Sequence, residues 1–143
     1  MSGERGQALV VAALLMGIGA LAIVGLRSAQ DRVLATAREQ NTGEAAVEAA
    51  AAAVADVYVA RLDSLRARAF ELPRPTLDVA GMLTDPATRE AARAAAAEAA
   101  AHNGGMFDGA VEVRCAGTTI EIELTHAGRR HRAALPADTC SQR

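Results

Sequence analysis

Hydrophobic positions change their spacing three times along this chain. From Ala8 to Leu26 every residue is apolar or glycine, 19 in succession. As a helix rising about 1.5 Å per residue, that run matches a hydrocarbon layer of roughly 30 Å. From Ser28 to Leu72 there is no proline and helix formers dominate, which predicts a long helix. Within it Val47, Ala51, Val54, Tyr58, Leu62, Leu65, Ala69 and Leu72 recur at steps of four and three and therefore share one stripe. Asn41-Thr42-Gly43-Glu44 interrupts the pattern and predicts a bend, or a stop followed by a fresh start capped by Asn41 or Thr42.

Pro73-Arg74-Pro75 ends this helix and opens a connecting segment that runs through Thr84. Asp85-Pro86 reads as an N-cap followed by proline at the first helical position, so a second helix runs through the alanines to Ala101. Asn103-Gly104-Gly105 stops it. After Asp108-Gly109 the period becomes two: Val111, Val113 and Cys115 share one face, as do Ile120, Ile122 and Leu124, with Thr119, Glu121, Glu123 and Thr125 opposite. Ala116-Gly117 and His126-Ala127-Gly128 are turn candidates, and Arg130 to Leu135 offers a third strand. The fold class is α+β: an N-terminal transmembrane helix continuing into a long alanine-rich helix, a second helix, and a small three-stranded antiparallel sheet. The apolar face of such a sheet is too small to stand alone, so it should pack on an alanine-rich helix.

The first apolar run has three readings: a cleaved signal peptide, a core helix of a soluble domain, or a retained anchor. Signal peptides carry apolar regions of about 7 to 15 residues before a small-x-small site. Here the run is longer, and Ala20-Leu21-Ala22 sits inside it, so the anchor is favoured. This divides the chain into residues 1–7, a cytoplasmic tail or leader, 8–26, the span, and 27–143, an extracytoplasmic α+β domain. Ala13, Gly17 and Gly25 fall near one face of the span and are candidate contacts for a second membrane helix. Arg5 and the amino terminus on one side compete with Arg27, Arg32 and Arg38 on the other, so positive charge alone would keep the larger part inside. The cysteines argue for outside. Val47, Val54 and Tyr58 are the candidate packing residues beyond the membrane, facing the second helix or other subunits.

Composition sharpens this picture. Hydrophobic residues make up 51% of the chain but aromatics only 2%, with Tyr58, Phe70 and Phe107 supplying all of them. Large aromatics dominate core energetics, so a deeply packed enzyme core is hard to build from this alphabet. Net charge is −2 and the 15 basic residues, all arginine, are scattered, which leaves no electrostatic footprint for nucleic acid. Cys115 and Cys140 bracket the C-terminal segment. In an oxidising compartment they would close a disulfide of the class worth about 2 to 4 kcal/mol, and in a reducing one they would be two thiols.

No catalytic constellation, cofactor motif or small-molecule site stands out. Cys115, His126, His131 and Cys140 could in principle hold zinc, but they lack a close Cys-x-x-Cys pair and both histidines flank a turn, so a disulfide with two solvated histidines is simpler. Glu44 and Glu48 lie one helical turn apart and read as a solvated face rather than a cation site. Glu121 and Glu123 share a strand face and read as its wet side rather than as an acid/base pair.

The stretches "ERGQALVVAALLMGIGALAIVGLRSAQ" and "NTGEAAVEAAAAAVA" resemble the N-terminal region of the TadE/TadG-like proteins of Flp/Tad pilus assembly, over roughly Glu4 to Ala60. The resemblance implies a membrane-anchored minor pilin or pseudopilin-like component in the bacterial cytoplasmic membrane, its C-terminal part outside and its partners other pilin-like subunits. Pilin-type processing would cut between Gly6 and Gln7. Val11 stands where that family's shaft subunits carry a glutamate, and Gly25-Leu26-Arg27 replaces an aspartate at the outer end of the span, so members that stay anchored match better. The rival expectation from the residues is a membrane-tethered binding domain unrelated to pili.

Overall fold

The computed structural model describes residues 3–68, 70 and 76–141, excluding the side chains of residues 3–10, 139 and 141. Seven elements follow in order: α1 (Gly3–Ala67), α2 (Val79–Thr84), α3 (Pro86–His102), β1 (Val111–Ala116), β2 (Thr119–His126), β3 (Arg129–Pro136) and a short 3₁₀ turn (Asp138–Ser141). The chain divides into two units, Met1–Ala37 and Arg38–Arg143. The first is helical with an exposed surface from Val11 onward. The second carries the core, and the class is α+β.

In the second unit α1 runs without interruption through Asn41-Thr42-Gly43-Glu44, where the sequence suggested a bend or break. The reason is tertiary. A Cβ placed on Gly43 would collide with the imidazole ring of His131, and one placed on Gly105 would lie 2.7 Å from Thr42 Cγ2. Thr42 and Gly43 thus serve a close approach of helix to strand and loop, with Thr42 only 3% exposed. The same contact corrects the expectation of two solvated histidines, because His131 is buried at 8% exposure while His126 is half-buried.

The stripe on α1 behaves as its spacing predicts. Val47, Ala51 and Val54 are buried, and Tyr58, Leu62 and Leu65 are half-buried farther along. The helix ends at Ala67, short of the expected Leu72, with Arg68 N–H donating to Leu65 C=O at 3.1 Å. Ala69, Leu72 and Pro73-Arg74-Pro75 lie outside the described residues.

The segment read as a plain connection contains α2. Asp78 caps it by accepting from the Gly81 N–H at 2.8 Å, and Val79, Met82 and Leu83 turn inward. Six residues are too few for a helical period to emerge from sequence. Asp85 then caps α3 as expected, accepting from Ala87 N–H at 3.0 Å with Pro86 following. At the far end Gly105 N–H donates to Ala100 C=O at 2.9 Å, and Gly104 takes φ of +76°, a conformation glycine adopts without a Cβ penalty.

The sheet is an antiparallel meander in the order β1-β2-β3. Both hairpins have two-residue loops, Gly117-Thr118 and Ala127-Gly128, and the second holds φ of +48° and +75°, matching the twist of the flanking strands. Ile120, Ile122 and Leu124 on β2 are essentially fully buried and join one core with Ala46, Ala50 and Val54 of α1, Leu83 of α2 and Ala92, Ala96 and Ala100 of α3. Each large β2 side chain contributes about 1.5 to 3 kcal/mol by burial. The alanines contribute less apiece, but let the helix backbones lie close.

Candidate functional site

Three features beyond the core have chemistry: an uncovered apolar helix surface, a charged outer sheet face, and a disulfide.

From Val11 to Leu26 every described side chain is exposed, with Leu15 at 64% and Leu21 at 75%. Among the described residues α1 is the one helix long and apolar enough to cross a membrane, and its apolar part is unburied, unlike a core helix. Water disfavours such a surface and hydrocarbon favours it, by about 25 cal/mol per Å² of apolar area. This is a helix of membrane-spanning or signal type. Gly17 and Gly25 have no other group within 4 Å of a built Cβ, and Ala13 is exposed, so the predicted packing positions face outward from the chain. Gly6 and Gln7 lie within α1, and their surroundings are outside the described side chains.

The three packing residues expected beyond the membrane sit in a different setting. Val47 and Val54 are in the second unit's own core, at 3% and 0% exposure, and Tyr58 packs half-buried against it. Val47 and Val54 hold the domain together from inside, while Tyr58 keeps part of its surface exposed.

Cys115 on β1 and Cys140 in the 3₁₀ turn form a disulfide with a Cα–Cα distance of 5.5 Å. It ties the C-terminal turn to the edge strand, assisted by Ala137, whose N–H donates to Thr118 C=O at 2.8 Å. Both thiols are consumed, and among the described residues no group of three potential metal ligands converges. The zinc arrangement considered for Cys115, His126, His131 and Cys140 therefore does not form. His131 Nε2 is buried without a hydrogen-bond partner, pressed on the α1 backbone at Gly43. The pairing of a ring on β3 with a glycine far earlier in the chain, on α1, gives no sequence signal.

The outer sheet face is an ion network. Arg132 Nε stands 2.8 Å from Glu123 Oε2, with Arg130 and Arg114 at 3.7 and 3.9 Å from the same carboxylate, and Arg114 Nη2 is 3.0 Å from Glu121. The hydrogen bond to Glu121, and then that carboxylate's charge, raises the Arg114 pKa above its ordinary value. Glu121 and Glu123 are therefore occupied by guanidinium groups instead of standing as a free pair. The period-two placement of charge on each strand, Glu112 and Arg114, Glu121 and Glu123, Arg130 and Arg132, is the sequence signal for this network. Glu44 is exposed and accepts from Gln40 Nε2 at 3.0 Å, and Glu48 is exposed too.

A surface groove of about 500 Å³ opens between α3 and the start of β1, lined by Arg89, Glu90 and Arg93 with Asp108 opposite. All four are exposed, and Arg89 Nε is turned to Leu83 C=O at 3.2 Å. The groove is open and carries both signs of charge, without a convergent set of buried polar groups. Compared with known protein families, with curated proteins and with solved structures, the chain finds no match.

Proposed function

We propose that this chain is a membrane-anchored structural component of a bacterial Flp/Tad-type pilus or secretion assembly, of the minor pilin or pseudopilin-like kind. The observation that carries the reading is the pairing of an unburied apolar helix with a small disulfide-closed α+β domain. A helix of that surface needs lipid or other helices around it. The disulfide is consistent with a domain outside the cytoplasm. The TadE/TadG-like features of the N-terminal sequence support the specific assembly.

The chain works in this reading by lateral helix contact and by display of its outer domain. Intact mass of the native protein, taken from membranes of its host before and after reduction, tests the placement. Material heavier by two hydrogens after reduction is expected, and a chain beginning at Gln7 would mark pilin-like processing. Shearing the cells tests the assembly: co-isolation with a surface filament, or with its membrane base after detergent extraction, is expected. A chain that meets neither, in cells that do assemble such a pilus, sinks the assignment.

A further inference from the structure

The two edges of the sheet are not alike. In an antiparallel ladder each strand turns its backbone groups alternately toward the paired neighbour and away from it. The two-residue loops make Ala116 with Thr119, and His126 with Arg129, the first bonded pairs. Val111, Val113 and Cys115 on β1, and Arg130, Arg132 and Ala134 on β3, therefore turn N–H and C=O outward. Among the described residues no backbone hydrogen bond reaches these outward groups. β3 is protected, because Arg130 and Arg132 are exposed along it and Pro136, which has no N–H, ends it. β1 has no proline and lies beside open space. The groove of about 500 Å³ at Val111 and a second of about 420 Å³ at Val113 and Cys115 share Thr84 and together follow the strand.

Charge on β1 says what fits there. Glu112 and Arg114 are its exposed residues, both on the outer face. Arg114 has Glu121 directly across from it on β2, but Glu112 stands across from Glu123, and like charges so placed repel. Among the described residues Glu121 and Glu123 are held in ion pairs and Glu112 is in none. Its complement is a cation on the open side of β1, two positions out of step with a glutamate on the same strand.

We infer that β1 pairs edge to edge with β1 of a second copy, antiparallel about a two-fold axis at Val113, joining two three-stranded sheets into one of six strands. The inference stands on the second unit alone and is independent of the anchor. The ladder and the charges together set the register, because residues with outward backbone groups must meet one another. An axis at Glu112 sets that glutamate against its own counterpart, and an axis at Arg114 does the same with the arginine. At Val113 the valine meets itself, Val111 meets Cys115, and each Glu112 meets Arg114 of the other copy, twice by symmetry. Those two opposite-charge pairs fall at positions without mutual backbone bonds, where facing side chains come closest. On the inner side the pairing lengthens the apolar row of Val111, Val113 and Cys115, which are only half-buried in one copy.

Co-purification of two differently tagged full-length copies, co-expressed and extracted in mild detergent, tests the pair. Glu112→Arg in both copies sets arginine against arginine at both symmetric contacts and should lower recovery of the second tag at least about tenfold. Arg114→Glu combined with Glu121→Arg keeps the ion pair between β1 and β2 but sets glutamate against glutamate across the edge, and should lose self-association as well. One copy of each kind restores both opposite-charge contacts, so the mixed pair should co-purify at the parent level. Neither variant alters a residue of the core. A parent chain that does not pair overturns the inference. Pairing that survives Glu112→Arg overturns it too, since contact through the N-terminal helix would be indifferent to that charge, and so does a mixed pair that fails to recover.

Discussion

The alanines of the first unit and those of the second are chemically the same and live in opposite surroundings. Ala12, Ala13 and Ala20 are exposed, while Ala46, Ala50, Ala92, Ala96 and Ala100 are at 0% exposure. Helix propensity does not separate them. What differs is the neighbour: the second unit supplies Ile120, Ile122 and Leu124 on one face of a sheet, and the alanines are small enough to let α1 and α3 share one core with that face. The first unit has large side chains of its own but nothing described within reach of them. Burial in this protein is thus a property of complementary surfaces, and the larger residues do not automatically claim the interior.

That contrast can be broken most severely at β2. Ile122→Ala leaves a cavity among alanines too small to fill it, and should cost about 2 to 5 kcal/mol in urea unfolding of the second unit. An exposed counterpart, Ile23→Ala, should leave that transition unchanged. Replacing Cys115 and Cys140 together by serine should cost about 2 to 4 kcal/mol by freeing the tail in the unfolded chain. Thermal melting under non-reducing conditions measures it, and a midpoint equal to that of the parent would show that the 3₁₀ turn holds unaided.

Ile18→Arg attacks the other unit, placing a charge near the centre of the apolar run. It should disfavour membrane insertion by about 3 kcal/mol, read as loss of chain from the floated fraction, with the melting of the second unit unaltered. Gly43→Ala sharpens the account of the helix–strand approach. Ala is the better helix former, so an exposed site would gain about 1 kcal/mol, but collision with His131 should reverse the sign to a loss of about 1 to 3 kcal/mol. The smallest effect belongs to the sheet's outer face: Glu123→Gln should change stability by less than about 1 kcal/mol, because the arginines around it remain solvated.

Strong local signals were legible beforehand. Asp85-Pro86 and Asn103-Gly104-Gly105 bound α3 because capping is decided within a few residues. The alternation at Ile120, Ile122 and Leu124 picked the buried face of β2 correctly, because a strand's two faces follow from period alone. The helix α2 was hidden by its shortness. Gly43 reads as a breaker in the sequence because its reason for being glycine, the ring of His131, lies on β3. The packing residues divided in the same way: the spacing of Val47, Val54 and Tyr58 made their shared face evident but could not say whether the chain's own sheet or another subunit would cover it.

By itself the amino-acid order determined the elements whose causes are local: an apolar run long enough for a bilayer, a capped second helix, and strands whose alternation sets their inner face. Tertiary structure alone decided three further things. It decided that α1 passes Gly43 unbroken, that His131 turns inward against it, and that Glu123 is ringed by Arg114, Arg130 and Arg132. Each joins residues distant along the chain or on separate strands, and contacts of that kind are set by packing, to which propensity and period carry no reference.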